Sequence, residues 1–330
     1  MKPCFVAPFL QKAAKKTGAR ILLEPEYGYA GQITFKNGTR HYFKDACLDI
    51  NPSGALEIAR DKHYSSFFLK NLGYRTIEGD VFLSPRFAAL LRSNKSTIAA
   101  CDYAKKLGFP VIVKPNDLSQ GIAVQSAHNL RELKSAIAAM PARSRSFLIQ
   151  RKVEGGDYRI VILDGAMVCA YRREPLCVIG NGKSSIKTLL SQKQAQLESK
   201  GYETTIDMHD TRMLAKLTRQ KLTLASVPER GIAVTLLDNA NLSTGGSASD
   251  VTHNIHPSYQ KLAARITQDM GLRLCGVDIM TTDDISKPCK DYRVLEINAS
   301  PGLDHYAMLG AAQKKRVEAM YLDIMRALAQ

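Results

Sequence analysis

The 330-residue sequence predicts a mixed α+β protein of about two domains with a small α/β lobe at its N-terminus. Three observations carry this. Short apolar runs such as Val111-Ile112-Val113 and Tyr158 to Leu163 alternate with helix-period segments. Asp164-Gly165 turns one such run back into Ala166 to Arg172, which predicts an antiparallel hairpin. A polar stretch, Thr281 to Pro288, separates two further runs near the C-terminus and predicts a second hairpin.

Within residues 1 to about 80, Ile21-Leu22-Leu23 and Ile33-Thr34-Phe35 read as strands, and Ala55 to Leu72 as a helix ending near Gly73. A second helix begins around Ser93-Asn94-Lys95-Ser96-Thr97 and stops at Gly108, with Pro110 just beyond. Val111 to Pro115 is a buried strand. Asn129 and Glu132 have capping-box spacing, so residues 116–128 hold a loop and a short strand ahead of the next helix. Phe147 to Gln150 and Tyr158 to Leu163 follow as strands of an antiparallel sheet, joined through Glu154-Gly155-Gly156-Asp157. Leu189 to Lys200 and Asp210 to Leu222 are helical, and Asn241 to Ser247 breaks all periodicity. Pro257 suits the first turn of a helix reaching Met270, and residues 313–328 form a terminal helix. No internal repeat or low-complexity linker interrupts this order.

A hydrophobic content of 45% supplies ample core, and no apolar run approaches the roughly 20 residues that span a bilayer. Met1 to Leu10 is too short and proline-broken for a signal core, so the expected address is cytoplasmic, with no membrane partner. Seven cysteines without a Cys-x-x-Cys pair fit scattered reduced thiols. The net charge of +15 raises the question of nucleic acid. Over residues 141–230, however, sixteen Lys or Arg are interleaved with nine Asp or Glu rather than forming a basic tract, so no nucleic-acid partner is expected.

Val294-Leu295-Glu296-Ile297-Asn298, with Gly276-Val277-Asp278-Ile279-Met280 upstream, carries the chemistry. Alternate strand residues share a face, so Glu296 and Asn298 point the same way, and Asp278 can join them from a neighbouring strand. Two carboxylates and an amide oxygen with no His or Cys nearby suit Mg²⁺, with Mn²⁺ as its substitute. His253 and His256 have His-x-x-His spacing but no evident third ligand, and read as loop and helix-start residues.

Lys62 in Arg60-Asp61-Lys62, Lys114 on its strand, the loop Asp117 to Val124 and the Asp278/Glu296/Asn298 set occur in an order that resembles the ATP-grasp superfamily, over most of the chain. Asn241-Leu242-Ser243-Thr244-Gly245-Gly246, running through Asp250-Val251-Thr252 to His256-Pro257, resembles more narrowly the ATP-grasp domain of cyanophycin synthetases and of fused glutathione synthetases. So does Val178-Ile179-Gly180-Asn181-Gly182-Lys183. The resemblance implies an ATP-grasp fold: an N-terminal lobe over 1–84, a central lobe over 85–150 acting as a mobile lid, and a C-terminal lobe over 151–330 with metal and substrate sites. The nucleotide lies between the last two kinds of lobe.

The implied cofactor-binding residues are Lys62 and Lys114 on the phosphates, Gly121 in the flap loop, Gln150 and Val153 at the adenine, and Asp157 on the ribose, with Glu154 a competitor for that role. The flap is glycine-poor here, and Gln150 stands where the family commonly has Glu. Arg159 and Arg172 are the implied catalytic cations, Arg173 being equally eligible from sequence. Asn241, Ser243, Thr244, Gly245 and Gly246 are the implied substrate residues.

The implied reaction is ATP-dependent amide formation between a carboxylate and an amine of amino-acid or short-peptide substrates, through an acyl phosphate, with ADP and phosphate released. A glutathione-synthetase-like ligase is the alternative, followed by a small-molecule phosphotransferase. Cyanophycin synthetases carry a second ATP-using domain related to muramyl ligases. A chain ending at Gln330 is expected not to make that alternating polymer alone. Homo-oligomerisation is left open.

Overall fold

The computed structural model describes residues 4–202 and 204–329. They fall into two compact units that are discontinuous in sequence: residues 1–76, 158–172 and 249–330 form the first, and residues 77–157 and 173–248 the second. Both boundaries drawn from sequence, at 84/85 and 150/151, lie inside the second unit. Among the described residues no helix is long and apolar enough to cross a membrane.

In the first unit an N-terminal helix, Val6–Thr17, takes Pro8 in its opening turn, where a missing N–H is harmless. Beside it, an antiparallel four-stranded sheet runs through Arg20–Leu23, Ala30–Thr34, Arg40–Lys44 and Cys47–Leu48. Instead of the one helix expected over 55–72, two form, Ser53–Arg60 and Lys62–Asn71, broken at Asp61. The break has a local cause. Asp61 adopts extended backbone and its Oδ1 accepts from the Tyr64 N–H at 2.8 Å, so it caps the second helix.

The larger sheet has five strands, in the order Ser247–Asp250, Ala166–Glu174, Gly156–Leu163, Leu274–Thr281 and Arg293–Asn298. One face carries Tyr158, Ile160, Cys275, Val277, Ile279 and Ile297 into a core shared with Tyr259, Ala263 and Ile266 of the helix Pro257–Asp269. The other face is left for polar groups. The last two strands pair antiparallel with a register shift after Asp278, because Asp278 opposes Glu296 whereas Ile279 opposes Val294. Leu295 is therefore an inserted bulge residue. It resets the alternation, so Val294 and Ile297, three apart, both reach the core while Glu296 and Asn298 keep the other face.

In the second unit four antiparallel strands lie in the order Gly79–Leu83, Ser146–Arg151, Val111–Pro115 and Gln125–Ala127. Val111, Val113, Phe147 and Ile149 pack under the helices Thr97–Leu107 and Leu130–Ala138. The capping box at Asn129 forms, with its Oδ1 accepting from the Glu132 N–H at 2.9 Å. Ser146–Arg151 and Gly156–Leu163, expected in one sheet, belong to two different sheets, since the first finds its partners in Gly79–Leu83 and Val111–Pro115. A second small core forms between the ribbon Cys177–Ile179/Ala233–Thr235 and the helices Ile186–Ser199 and Thr211–Arg219.

Candidate functional site

The polar face of the five-stranded sheet brings together Lys62, Arg159, Asp278, Glu296 and Asn298. Asp278 is 0% exposed, and Arg159 on the adjacent strand takes both of its oxygens, Nε to Oδ1 at 2.6 Å and Nη2 to Oδ2 at 2.7 Å. The same guanidinium stands 3.8 Å from Glu296 Oε1, while Lys62 Nζ lies 3.6 Å from Glu296 Oε2. Asn298 Nδ2 donates to Glu296 Oε1 at 3.4 Å. Burial opposes the charge on Arg159, yet Asp278, Tyr171 and Glu296 together raise its pKa well above the ordinary value. Gly276 lies beside this arginine, where a Cβ would meet Arg159 Cδ at an ordinary 3.4 Å and Pro301 Cβ more tightly at 3.1 Å.

These groups fit a hard divalent cation by their chemistry. Asp278 and Glu296 face one another in register and Asn298 follows on the same face, giving two carboxylates and an amide oxygen. A carboxylate oxygen has more than one acceptor site, so a bond from Arg159 does not by itself preclude coordination. Among the described residues no group of three or more His, Cys, Asp or Glu is arranged for a metal, so the amide is needed to complete the set, and His253 and His256 form no such group. His253 Nε2 instead meets Arg316 Nη2 at 3.0 Å, and His256 Nδ1 accepts from the Ser258 N–H at 3.2 Å.

Arg172 does not join this group. Strand alternation puts it on the face of Ala170, which belongs to the helix-packed core, and its side chain is exposed. In the second unit Arg173, the next residue, is buried and binds Asp157 Oδ1 through Nε at 3.0 Å and Nη2 at 2.7 Å. The carboxylate expected on the ribose thus already holds a cation on one oxygen.

Lys114 and Gln150 are both buried, at 8% and 5% exposure, on the side of the four-stranded sheet that faces away from its helices. Lys114 opposes Leu148, and Gln150 stands in line with Ile112 on one side and Gly79 on the other. Gly79 lets the glutamine lie across its strand, for a Cβ there would meet Gln150 Cγ at 2.5 Å. Val153 is half-buried in the segment that follows the strand.

That line of residues ends at Ser126, opposite Ile112, and leads to a group that sequence reading misses. Ser126 Oγ donates to Asp238 Oδ2 at 2.7 Å, and Asp238 Oδ1 accepts from Lys152 at 3.4 Å and also from Lys216. Burial pushes the Asp238 carboxyl up, but the bonds from Lys216 and Ser126 outweigh it and hold the pKa at about 2. No local pattern advertises partners that lie 112 and 86 residues apart.

The segment 241–246 closes on itself. The Asn241 carbonyl accepts from the Thr244 and Gly246 N–H groups at 3.2 and 3.1 Å and from Thr244 Oγ1 at 3.0 Å. Gly245 has φ +88°, and a Cβ on Gly246 would fall 2.6 Å from the Glu174 carbonyl oxygen. Both glycines are thus required by backbone geometry. Ser243 Oγ donates to the Gln120 carbonyl at 3.1 Å, so this segment meets the loop 117–124, and Gly121 packs against Asn239 and Asn241.

Two family models match parts of the chain. Residues 82–177 match the D-ala D-ala ligase C-terminus family and residues 238–318 the RimK-like ATP-grasp domain. The cyanophycin synthetase of Trichormus variabilis is 35% identical over 225 residues, which is 66% of this chain and 25% of that protein. The glutathione biosynthesis bifunctional protein of Clostridium perfringens is 28% identical over 223 residues, 65% of this chain and 28% of that one. The chain thus spans about a quarter of the length of these relatives. The crystal structure of a bifunctional glutathione synthetase from Pasteurella multocida shares the fold with a TM-score of 0.60 at 20% identity, covering 97% of this chain and 44% of that one. The chain carries an ATP-grasp domain, similar to the ATP-grasp regions of cyanophycin synthetases and of bifunctional glutathione-synthesis proteins.

Proposed function

We propose that this protein is an ATP-dependent ligase that joins the carboxylate of one amino-acid or short-peptide substrate to the amine of another. The observation that carries the reading is the set of Asp278, Glu296 and Asn298 on one sheet face with Arg159 and Lys62 beside it. Oxygen donors and fixed cations so arranged suit phosphoryl transfer, where catalysis consists of positioning and charge stabilisation.

In the first half-reaction a substrate carboxylate oxygen bonds to the γ-phosphorus, the bond to the bridging oxygen breaks, and ADP leaves. In the second, the amine nitrogen attacks the acyl carbon, inorganic phosphate departs, and the nitrogen loses its proton. Asp278, Glu296 and Asn298 would hold Mg²⁺, which when bound offsets phosphate charge and orients the phosphate oxygens. Arg159, kept cationic by Asp278, stays in place as charge moves. Lys62 and Lys114 are point charges for phosphate oxygens. Gln150 accepts from the adenine amino group through its carbonyl, and Val153 supplies apolar contact. Asp157 takes ribose hydroxyls through its carboxylate, which Arg173 holds at Oδ1.

The test is to incubate the purified chain with ATP, Mg²⁺ and pooled amino acids and dipeptides, and to identify condensed products by mass. A new amide accompanied by stoichiometric ADP supports ligation. ADP release that is independent of any amine, with a phosphorylated product, points to phosphotransfer. Product from γ-glutamylcysteine and glycine, in preference to the panel, points to the glutathione-type reaction.

A further inference from the structure

The geometry points to Arg212 as a positioning residue that latches the loop 117–124 in the conformation that meets ATP phosphates, an inference that rests on the proposed ATP-dependent reaction and on the phosphate-flap role that the family resemblance implies for that loop. Three of its residues sit in the left-handed region, with φ of 59° at Gln120, 70° at Gly121 and 53° at Ala123. Only one is glycine. A Cβ makes that region unfavourable, and such backbone persists only where the surroundings over-determine it.

The surroundings here are specific. Arg212 Nη1 donates to the Gly121 carbonyl at 2.8 Å and to the Val124 carbonyl at 3.2 Å, bridging both ends of the strained turn. The guanidinium is itself aimed by Asp210, which accepts from Nε at 3.0 and 3.1 Å and from Nη2 at 2.6 Å. Asp210 also caps the helix Thr211–Arg219 through the Arg212 N–H at 2.8 Å, so the arginine projects from a fixed helix end. Burial raises the Asp210 pKa, but its bonds from Arg212 bring it below the ordinary value, which keeps the pair ionised. Ser243 Oγ adds a bond to the Gln120 carbonyl. Gly121 approaches Asn239 and Asn241 so closely that a Cβ would meet them at 2.4 and 2.8 Å.

The loop is glycine-poor, so it does not take this shape freely. A carbonyl oxygen turned toward a phosphate repels it, and Arg212 fixes which way two of these carbonyls point. Charge-assisted bonds to the loop thereby substitute for the conformational freedom that several glycines supply.

The experiment measures ATP binding by titration calorimetry, together with KM and kcat for ADP formation, in Arg212→Ala and in Arg212→Ala carrying Gln120→Gly and Ala123→Gly. Arg212→Ala should raise the Kd and KM for ATP by about tenfold or more, with kcat changing less. The two glycines should recover part of that loss by relieving the strained φ values, which would not follow if Arg212 merely braced its own helix. Unchanged ATP affinity in Arg212→Ala, or no recovery with the glycines, overturns the latch. If Arg212→Ala does not fold, Ser243→Ala replaces it: a smaller rise in Kd is expected, and an unchanged Kd overturns the inference. A wild-type chain that binds no ATP sinks the ATP-binding role as well. ATP bound equally by wild type and Arg212→Ala sinks the latch alone.

Discussion

Arg159 and Asp278 meet through two parallel hydrogen bonds across neighbouring strands, with the carboxylate fully out of solvent. Such a pair is specific because the carboxylate has no water to fall back on and the guanidinium little. Arg159→Met should therefore lower unfolding free energy by about 3–5 kcal/mol, the range for stranding one member of a buried pair. Urea titration monitored by circular dichroism measures it. A loss under about 1 kcal/mol would show that Asp278 finds another partner.

Glu296→Ala removes the acid that faces Asp278 in register and lies beside Lys62. ADP formation should fall by at least about 100-fold, the scale on which electrostatic groups act at a transferring phosphoryl group. Half-exposed placement at the strand edge should leave the melting temperature little changed. Turnover retained in a folded Glu296→Ala protein refutes a metal-holding role for this residue.

Asp238 sets an acid limb of stability. Its folded pKa is about 2, below the ordinary 3.8, so its contribution is present above the unfolded value and lost as pH falls through the folded one. Asp250, also at about 2, acts in the same window. Between about pH 4 and pH 2 the wild type should lose more stability than Asp238→Asn does. Denaturation midpoints across that range decide it, and parallel curves would contradict the pairing with Lys216.

Gly246→Ala tests whether the segment 241–246 is constrained by its backbone. The added Cβ would fall 2.6 Å from the Glu174 carbonyl oxygen and 2.8 Å from that of Asn241, neither able to swing aside. A loss of about 1–3 kcal/mol is expected, typical of forcing an atom into packed backbone. Calorimetric melting measures it, and an unchanged midpoint would show that the segment can shift.

Much of this arrangement is legible one residue at a time. Lys114, Gln150, Asp278, Glu296 and Asn298 sit on strands whose alternating neighbours announce a core face, so the opposite face follows by parity. Parity fails at Leu295, because an inserted residue leaves no mark in the alternation of Val294, Glu296 and Ile297 beyond an apolar residue too many. It misleads again at Arg172 and Arg173, where consecutive arginines make the two faces indistinguishable until Ala170 is seen in the core. Asp61 caps the helix that starts at Lys62, yet Ala55 to Leu72 keeps a helical period straight through it. Asp238 and Arg212 gather partners from distant segments, and only the folded chain reveals those meetings.

Because Lys62 is the first residue of its helix, the direction in which its ammonium leaves the backbone is set by Asp61 just before it. Asp61→Ala would unravel that opening turn and let the lysine wander from Glu296. If Lys62 handles phosphate as proposed, substituting this aspartate should lower ADP formation, although its cap is a bond from a backbone amide. A folding signal of one residue thus governs where a positive charge stands beside Glu296.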